Sequence, residues 1–284
     1  MKRALLVGIN YTGTDSALNG CINDISNINK FLLENVSGYS KDSITVLTDD
    51  PKSQVKPTKE NMENNIKKFV AGCKSGDTLF FYYSGHGSQL NDNNGDESDG
   101  KDSVLVPLDY QKSGVIRDDW LFTNMINCLP AGVTLWAFTD CCHSGTMLDL
   151  QFNLQCASVY KNGSINKTIK YNGSEWSNQF GLTNETSKLS QADVFNFSGC
   201  LDPQTSADAF IRNQSQGAFT SCFFEFVNNN STKDANNKIL FNTNKIKISD
   251  MLKEINCRLL IQGFKQRPQL SMGKVKDFNR LFCP

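Results

Sequence analysis

The sequence predicts an α/β protein: a mainly parallel sheet of about six or more strands, flanked by helices on both faces. Two observations carry this. Short apolar, β-rich runs recur along the 284 residues, and segments of helical periodicity lie between them. A chain of this length can form one sizeable core, and neither an internal repeat nor a clean linker divides it.

Taken in order, runs near 3–8, 44–48, 78–83, 133–139, 193–199 and 267–272 read as strands, and segments near 22–35, 58–72, 119–128, 217–228 and 248–262 as helices. Thr58 followed by Glu60, and Ser249 followed by Asp250, place a cap and an acid at helix starts, and Gly72 can stop the second helix. Two segments break the alternation. Residues 91–103 are acidic, contain glycine and show no apolar period, which predicts an exposed or metal-bound loop. Residues 153–190, rich in Asn, Ser, Thr, Gly and Lys, read as a long flexible connection: a functional loop, a lid or a disordered segment.

Composition narrows the function. Lys+Arg and Asp+Glu both number 29, so no long-range field favours nucleic acid or an anionic membrane, and neither is an expected partner. The longest apolar stretches, Ala4 to Gly8, Leu79 to Tyr83 and Val133 to Phe138, fall far short of the roughly 18 residues of a membrane span. Lys2 and Arg3 precede an apolar run that Asn10 interrupts too early for a signal peptide. The expected compartment is the cytoplasm, with the nucleus as the alternative. The 10 cysteines show no repeating spacing and no CxxC pair, and the histidines number 2, so reduced thiols are expected rather than disulfides or zinc.

In an open parallel sheet the ligand crevice lies beyond the C-terminal ends of the strands. After 78–83 comes Ser84-Gly85-His86-Gly87-Ser88, and after 133–139 comes Asp140-Cys141-Cys142-His143-Ser144-Gly145. If these strands are neighbours, an imidazole and a thiol meet there: Cys142 as nucleophile, His86 as the base that takes its proton and returns it to the leaving group. The N–H groups of Gly87 and Cys142 are candidates for an oxyanion site. Taken singly, His86 would be a satisfied structural histidine and Cys142 a core thiol; their paired placement favours catalysis. His143 and Cys141 are the rivals, the first adjacent to the nucleophile, the second read as a buried thiol under the site. Period-two alternation lets Ser84 face the side of His86, and Asp140 that of Cys142. With Asp24 they form a candidate acidic pocket for a cationic side chain. The plainer reading makes Asp24 a helix cap and Asp140 a loop hydrogen-bond acceptor.

These blocks resemble the metacaspases, caspase-like cysteine peptidases. Tyr83-Ser84-Gly85-His86-Gly87 and Asp140-Cys141-Cys142-His143-Ser144-Gly145 look like their two catalytic segments. Asn19-Gly20-Cys21-Ile22-Asn23-Asp24, Ser198-Gly199-Cys200, Gln204-Thr205-Ser206-Ala207-Asp208 and Gly217-Ala218-Phe219-Thr220 agree in order along the chain. The resemblance implies a single caspase-like domain over 1–284. Residues 1–152 would be its large-subunit-like portion with a His86/Cys142 dyad, 153–190 the loop, and 191–284 its small-subunit-like portion. It implies the type I kind, here without the N-terminal prodomain such members often carry, and cleavage after Arg or Lys with Asp24, Ser84 and Asp140 binding substrate. It also implies activation by Ca2+ at Asp102, Asp118, Asp119 and Asp149. A literal EF-hand from Asp92 fails, since its sixth position is Glu97 and its twelfth Ser103. Asp118 and Asp119 read otherwise as the N-terminal acids of a helix. The expectation is therefore a monomeric, calcium-dependent endopeptidase acting on protein or peptide substrates with Arg or Lys at the cleavage site. Self-cleavage would fall at Lys161, Lys167, Lys170 or Lys188. The alternatives are a catalytically silent caspase-like scaffold in protein quality control, or a paracaspase-like or legumain-like peptidase.

Overall fold

The computed structural model describes residues 1–93, 95, 100–141, 146–155, 160–161, 164–165, 181–182, 188–200, 208–211, 214–233, 239–241, 245–274 and 280–284. The chain runs β1 (Lys2–Gly8), α1 (Cys21–Asn35), β2 (Ile44–Thr48), α2 (Lys59–Val70), β3 (Thr78–Ser84), β4 (Gly87–Asn91), β5 (Lys101–Leu105), α3 (Tyr110–Ser113), β6 (Ile116–Arg117) and α4 (Asp118–Leu121). A π-helical turn (Phe122–Ile126) extends α4 and is followed by β7 (Thr134–Asp140) and β8 (Phe152–Gln155). Then come β9 (Tyr160–Lys161), β10 (Ser164–Ile165), β11 (Gly181–Leu182), β12 (Asp193–Ser198), β13 (Asp208–Ile211), β14 (Gln214–Gly217) and α5 (Ala218–Asn229). The chain ends with β15 (Ser231–Lys233), β16 (Ile239–Phe241), α6 (Ile248–Ile261) and β17 (Gln269–Met272).

Among the described residues the main sheet has 8 strands in the order β11-β8-β17-β12-β7-β3-β1-β2. From β2 to β12 the pairing is parallel; β17, β8 and β11 continue it antiparallel. The parallel strands are apolar on both faces because both are covered. Along β1, Ala4 and Leu6 pack in one layer with α1, α5 and α6, while Leu5 and Val7 pack in the other with α2 and the π turn. A row of rings crosses the first layer: Phe80 stacks on Phe138 at 5.3 Å, Phe138 on Phe197 at 5.1 Å, and Trp136 on Phe195 at 4.6 Å. Such pairs each add about 0.5–1.5 kcal/mol beyond their burial.

The expected strands and helices are present, but two expectations need correction. Residues 91–103 are not all loop: β4, β5 and β6 make a separate three-stranded antiparallel sheet. Its middle strand hides from a hydrophobicity pattern because its buried run starts with Asp102 and Ser103 before Val104 and Leu105. The connection read as starting at 153 starts later, since Phe152–Gln155 is a strand paired with β17. Its alternation, Phe-Asn-Leu-Gln, is a strand signal only four residues long. No helix among the described residues is long and apolar enough to cross a membrane.

Candidate active site

The parallel register aligns the strand ends that carry the motifs. Gly8 lies beside Ser84, Ser84 beside Asp140, and Ser198 beside Thr139. Side chains that emerge here share one edge of the sheet. His86 stands two residues past β3, half-buried, and three neighbours fix it. Its Nε2 lies 2.7 Å from the Ser16 carbonyl oxygen. A carbonyl can only accept, so the neutral ring carries its proton on Nε2 and leaves Nδ1 to take another. The Tyr11 ring packs against the imidazole at 4.7 Å, and its hydroxyl accepts the His86 N–H at 3.1 Å while donating to the Val106 carbonyl at 2.6 Å. Tyr83 Oη donates to the His86 carbonyl at 2.7 Å. Burial raises the pKa of both phenols, so they stay neutral donors. Tyr11 has φ +50°, a left-handed conformation unusual for a bulky residue.

Cys142 and His143 lie outside the described residues. Cys141 is buried, and its carbonyl accepts from the Cys200 thiol at 3.2 Å. That is the packed thiol expected beneath the site. Gly87, the glycine expected to help bind an oxyanion, opens β4 opposite Leu105.

Asp24 and Asp140 come together. Asp24 lies in the buried stripe of α1, with Cys21, Ile25, Ile28, Phe31 and Leu32, where the helical period calls for an apolar residue. The stripe is fixed at its start by Asn10 of the post-β1 loop, whose Oδ1 accepts from the Cys21 N–H at 3.0 Å. Asp24 Oδ2 accepts from Ser84 Oγ at 2.9 Å, and both its oxygens face the Gly217 N–H at 3.1 and 3.2 Å. Asp140 Oδ2 accepts from the Thr220 hydroxyl at 2.6 Å and from the Thr220 N–H at 3.2 Å, at the first turn of α5. Ser84, Asp24 and Asp140 are all buried. A methyl group added to Gly217 would meet Asp140 Oδ2 at 2.1 Å and Asp24 Oδ2 at 3.1 Å, so this glycine is the point against which both carboxylates pack. Burial, followed by the charges of Asp24 and Asp140, raises the Tyr82 phenol pKa, and its hydroxyl closes the cluster onto Thr220.

A second acidic cluster forms where β5, the start of α4 and the segment after β7 meet. Carboxylate oxygens of Asp102, Asp118 and Asp119 lie within 4.8 Å of one another. Oxygens bound to one calcium ion at 2.3–2.6 Å are at most about 5 Å apart, so the three fit a common ion. Asp102 and Asp118 are almost fully buried, and Asp102 Oδ1 has no hydrogen-bond partner among the described residues. Its other oxygen pairs with Arg117. Asp118 accepts from the Ser103 N–H at 2.6 Å and the Asp119 N–H at 2.9 Å. Even so, burial and then the Asp149 charge push its carboxyl up to about 8. Burial likewise raises Asp102, against the pull of Arg117. Asp149, buried at φ +55°, joins through Lys188, whose ammonium pairs with it and with Asp119 at 3.1 Å. Asp118 and Asp119 do open a helix, but α4 is a single turn whose acids point into this cluster.

The sequence reading missed Tyr11, the Ser16 carbonyl, Thr220, Arg117 and Lys188 as contributors to these clusters. Tyr11 was within reach, because Asn10-Tyr11 follows β1 as the catalytic motifs follow β3 and β7. The Ser16 contact is made by backbone and leaves no sequence signal.

Comparison with known proteins bears on this geometry. The model of the metacaspase, peptidase C14 domain, matches residues 2–151. Metacaspase-1A of Neurospora crassa is 35% identical over 99% of this chain and 64% of its own length. Metacaspase-1 of Meyerozyma guilliermondii is 37% identical over 99% of this chain and 72% of its own. The chain thus spans roughly two thirds of the length of such relatives. A crystal structure of a protein from Geobacter sulfurreducens superposes with a TM-score of 0.63, covering 98% of this chain and 96% of its own at 23% identity, which supports the fold.

Proposed function

The chain belongs to the metacaspase family of cysteine peptidases, and from that premise we propose that it is an endopeptidase cleaving after Arg or Lys through Cys142 and His86. The observation that carries the specificity is the buried Asp24–Asp140 pair, held by the neutral donors Ser84, Gly217 and Thr220 at the strand ends beside His86. Those donors bring no charge, so they orient the pair for a guanidinium or ammonium entering from substrate without neutralising it. An acidic substrate side chain would meet like charge in a desolvated site.

The chemistry follows from the tautomer. His86, donating from Nε2 to Ser16, takes the Cys142 proton on Nδ1. The thiolate attacks the scissile carbonyl carbon, and the oxygen that gains charge is met by backbone N–H groups, with Gly87 and Cys142 as the candidates. The imidazolium then protonates the leaving amine, giving a thioester, which water hydrolyses with His86 again as base. Tyr11 and Tyr83 hold the ring and its backbone throughout.

The acidic cluster is the candidate calcium site, with Asp102, Asp118, Asp119 and Asp149 as ligands; the bound ion would neutralise carboxylates that now repel one another. Its bearing on activity runs through Asp149, seven residues past Cys142. The loop after β8 is the expected place of self-cleavage; among its candidate lysines, Lys167 and Lys170 lie outside the described residues. A monomer acting in the cytoplasm or nucleus completes the proposal. A panel of Arg, Lys and Asp fluorogenic peptides, assayed with calcium and with chelator, tests it. Hydrolysis confined to Arg and Lys and dependent on calcium is expected; cleavage after Asp, or full activity in chelator, would contradict specificity or metal dependence respectively.

A further inference from the structure

Lys188 is 9% exposed, in the segment 188–190 that leads into β12, and its ammonium is placed among carboxylates from two other regions of the chain. Asp119 comes from the start of α4, and Asp149 from the turn after β7. A long cationic side chain is held this deep only against carboxylates, since it gives up both hydration and rotamer freedom. The ammonium is an incomplete occupant. It carries one charge and three donors, and it leaves Asp102 Oδ1 buried without a hydrogen-bond partner among the described residues. Among the described residues, Arg117 pairs with Asp102, and Lys188 with Asp119 and Asp149. The position is also exclusive. Asp119 belongs to the set of three carboxylates that fit a common ion, and its Oδ1 is 3.1 Å from the Lys188 nitrogen. An ion bound by Asp119 and Asp149 would have to take oxygens that now face the ammonium, and would repel it at short range.

We infer that Lys188 is a tethered counter-cation of the acidic site, and that it and a divalent cation occupy the site in mutual exclusion. This rests on the reading of the cluster as a calcium site and adds its regulation. The metal-free fold is held together by the chain's own lysine, so calcium affinity is reduced by the fraction of molecules in which Lys188 is seated. Filling the site with metal drives the side chain out, and the segment entering β12 registers the change. A plain structural ion pair at the same place would be kept when calcium binds.

Two measurements on the full chain, made inactive by Cys142→Ala so that self-cleavage does not intervene, test the inference without any activity readout. In the first, calcium is titrated calorimetrically into this chain with and without Lys188→Met. The variant is expected to bind at least ten-fold more tightly, while Lys188→Arg, which keeps a competing cation, stays within about three-fold of the parent. Equal or weaker binding by Lys188→Met overturns the inference while leaving the calcium site standing. Absence of calcium binding in every chain removes the calcium reading and the inference with it. The second measurement needs no Lys188 variant: a water-soluble amine-acylating reagent is applied in chelator, in calcium and in magnesium, and modification of Lys188 is quantified by peptide mass. Lys188 should be protected in chelator and modified at least five-fold faster in saturating calcium, with magnesium near the chelator rate. Labelling that is unchanged or slower in calcium contradicts displacement.

Discussion

The two buried acidic clusters are built from the same residue type and satisfied in opposite ways. Asp24 and Asp140 accept hydrogen bonds from neutral groups, among them the Ser84 hydroxyl, the Gly217 N–H, and the Thr220 hydroxyl and N–H. Asp102, Asp119 and Asp149 are met by the charged groups of Arg117 and Lys188, while Asp118 is pushed up to about 8 and one oxygen of Asp102 has no hydrogen-bond partner among the described residues. In the first arrangement these donors hold the carboxylates without neutralising them. In the second, the proposed calcium ion would supply positive charge to carboxylates that burial disfavours. On the proposed function, donor chemistry around a buried carboxylate separates a site preorganised for a substrate cation from one that takes up an ion.

The largest effect should come from removing charge while keeping shape in the first cluster. Asp140→Asn and Asp24→Asn each retain an acceptor for Thr220 or Ser84, and each should lower kcat/KM for Arg peptides by about 10²–10³, or roughly 3–4 kcal/mol. If Asp140 serves only to cap α5, Asp140→Asn will keep near-parental activity, and the comparison between the clusters breaks there. Next in size is Gly217→Ala, whose methyl would strike Asp140 Oδ2 at 2.1 Å. It should raise KM for Arg peptides at least ten-fold and cost about 1–3 kcal/mol of stability, read from denaturant unfolding.

In the second cluster the test is one of pH and stability. Asp118 has a folded pKa raised to about 8, above its unfolded value, so the folded chain binds the extra proton between about pH 4 and 8. Its contribution is therefore lost as pH rises through that window, and the metal-free protein is weakened. Asp118→Asn should raise the unfolding free energy in chelator at pH 7.5 by about 1–3 kcal/mol, with the gain vanishing near pH 4. A gain that does not depend on pH, or a loss at pH 7.5, would show that Asp118 is stably ionised. The smallest effect is at the base: Tyr11→Phe keeps the ring against His86 but leaves its N–H without that acceptor, and should lower kcat three- to ten-fold at unchanged KM.

How much of this was legible in the sequence depends on which interactions define each region. The strands carrying Leu79 to Tyr83 and Val133 to Phe138 announce themselves because a strand covered on both faces is apolar throughout. The strand of Asp102 does not, since its inward side chain serves a site rather than the core. Asp24 and Asp140 stand out by their places after strands in motifs that resemble metacaspase segments, Asp140 also by strand alternation, and the register that brings Ser84 beside Asp140 follows from adjacent parallel strands. Lys188 was read only as a cleavage candidate, because its partners lie 69 and 39 residues away and no local pattern marks a buried ammonium. The Ser16 carbonyl that sets the His86 tautomer is a backbone atom, invisible to any reading of side chains.

The central claim, a Cys142 nucleophile beside a pocket that selects cations, is tested most directly by covalent labelling. The full chain, in calcium, is treated with an Arg chloromethylketone or its Asp counterpart, and the adducts are located by peptide mass. The account predicts one adduct from the Arg reagent on Cys142, formed at least a hundred-fold more slowly in Asp140→Asn, and none from the Asp reagent. An adduct on Cys141, or equal labelling by both reagents, would contradict it.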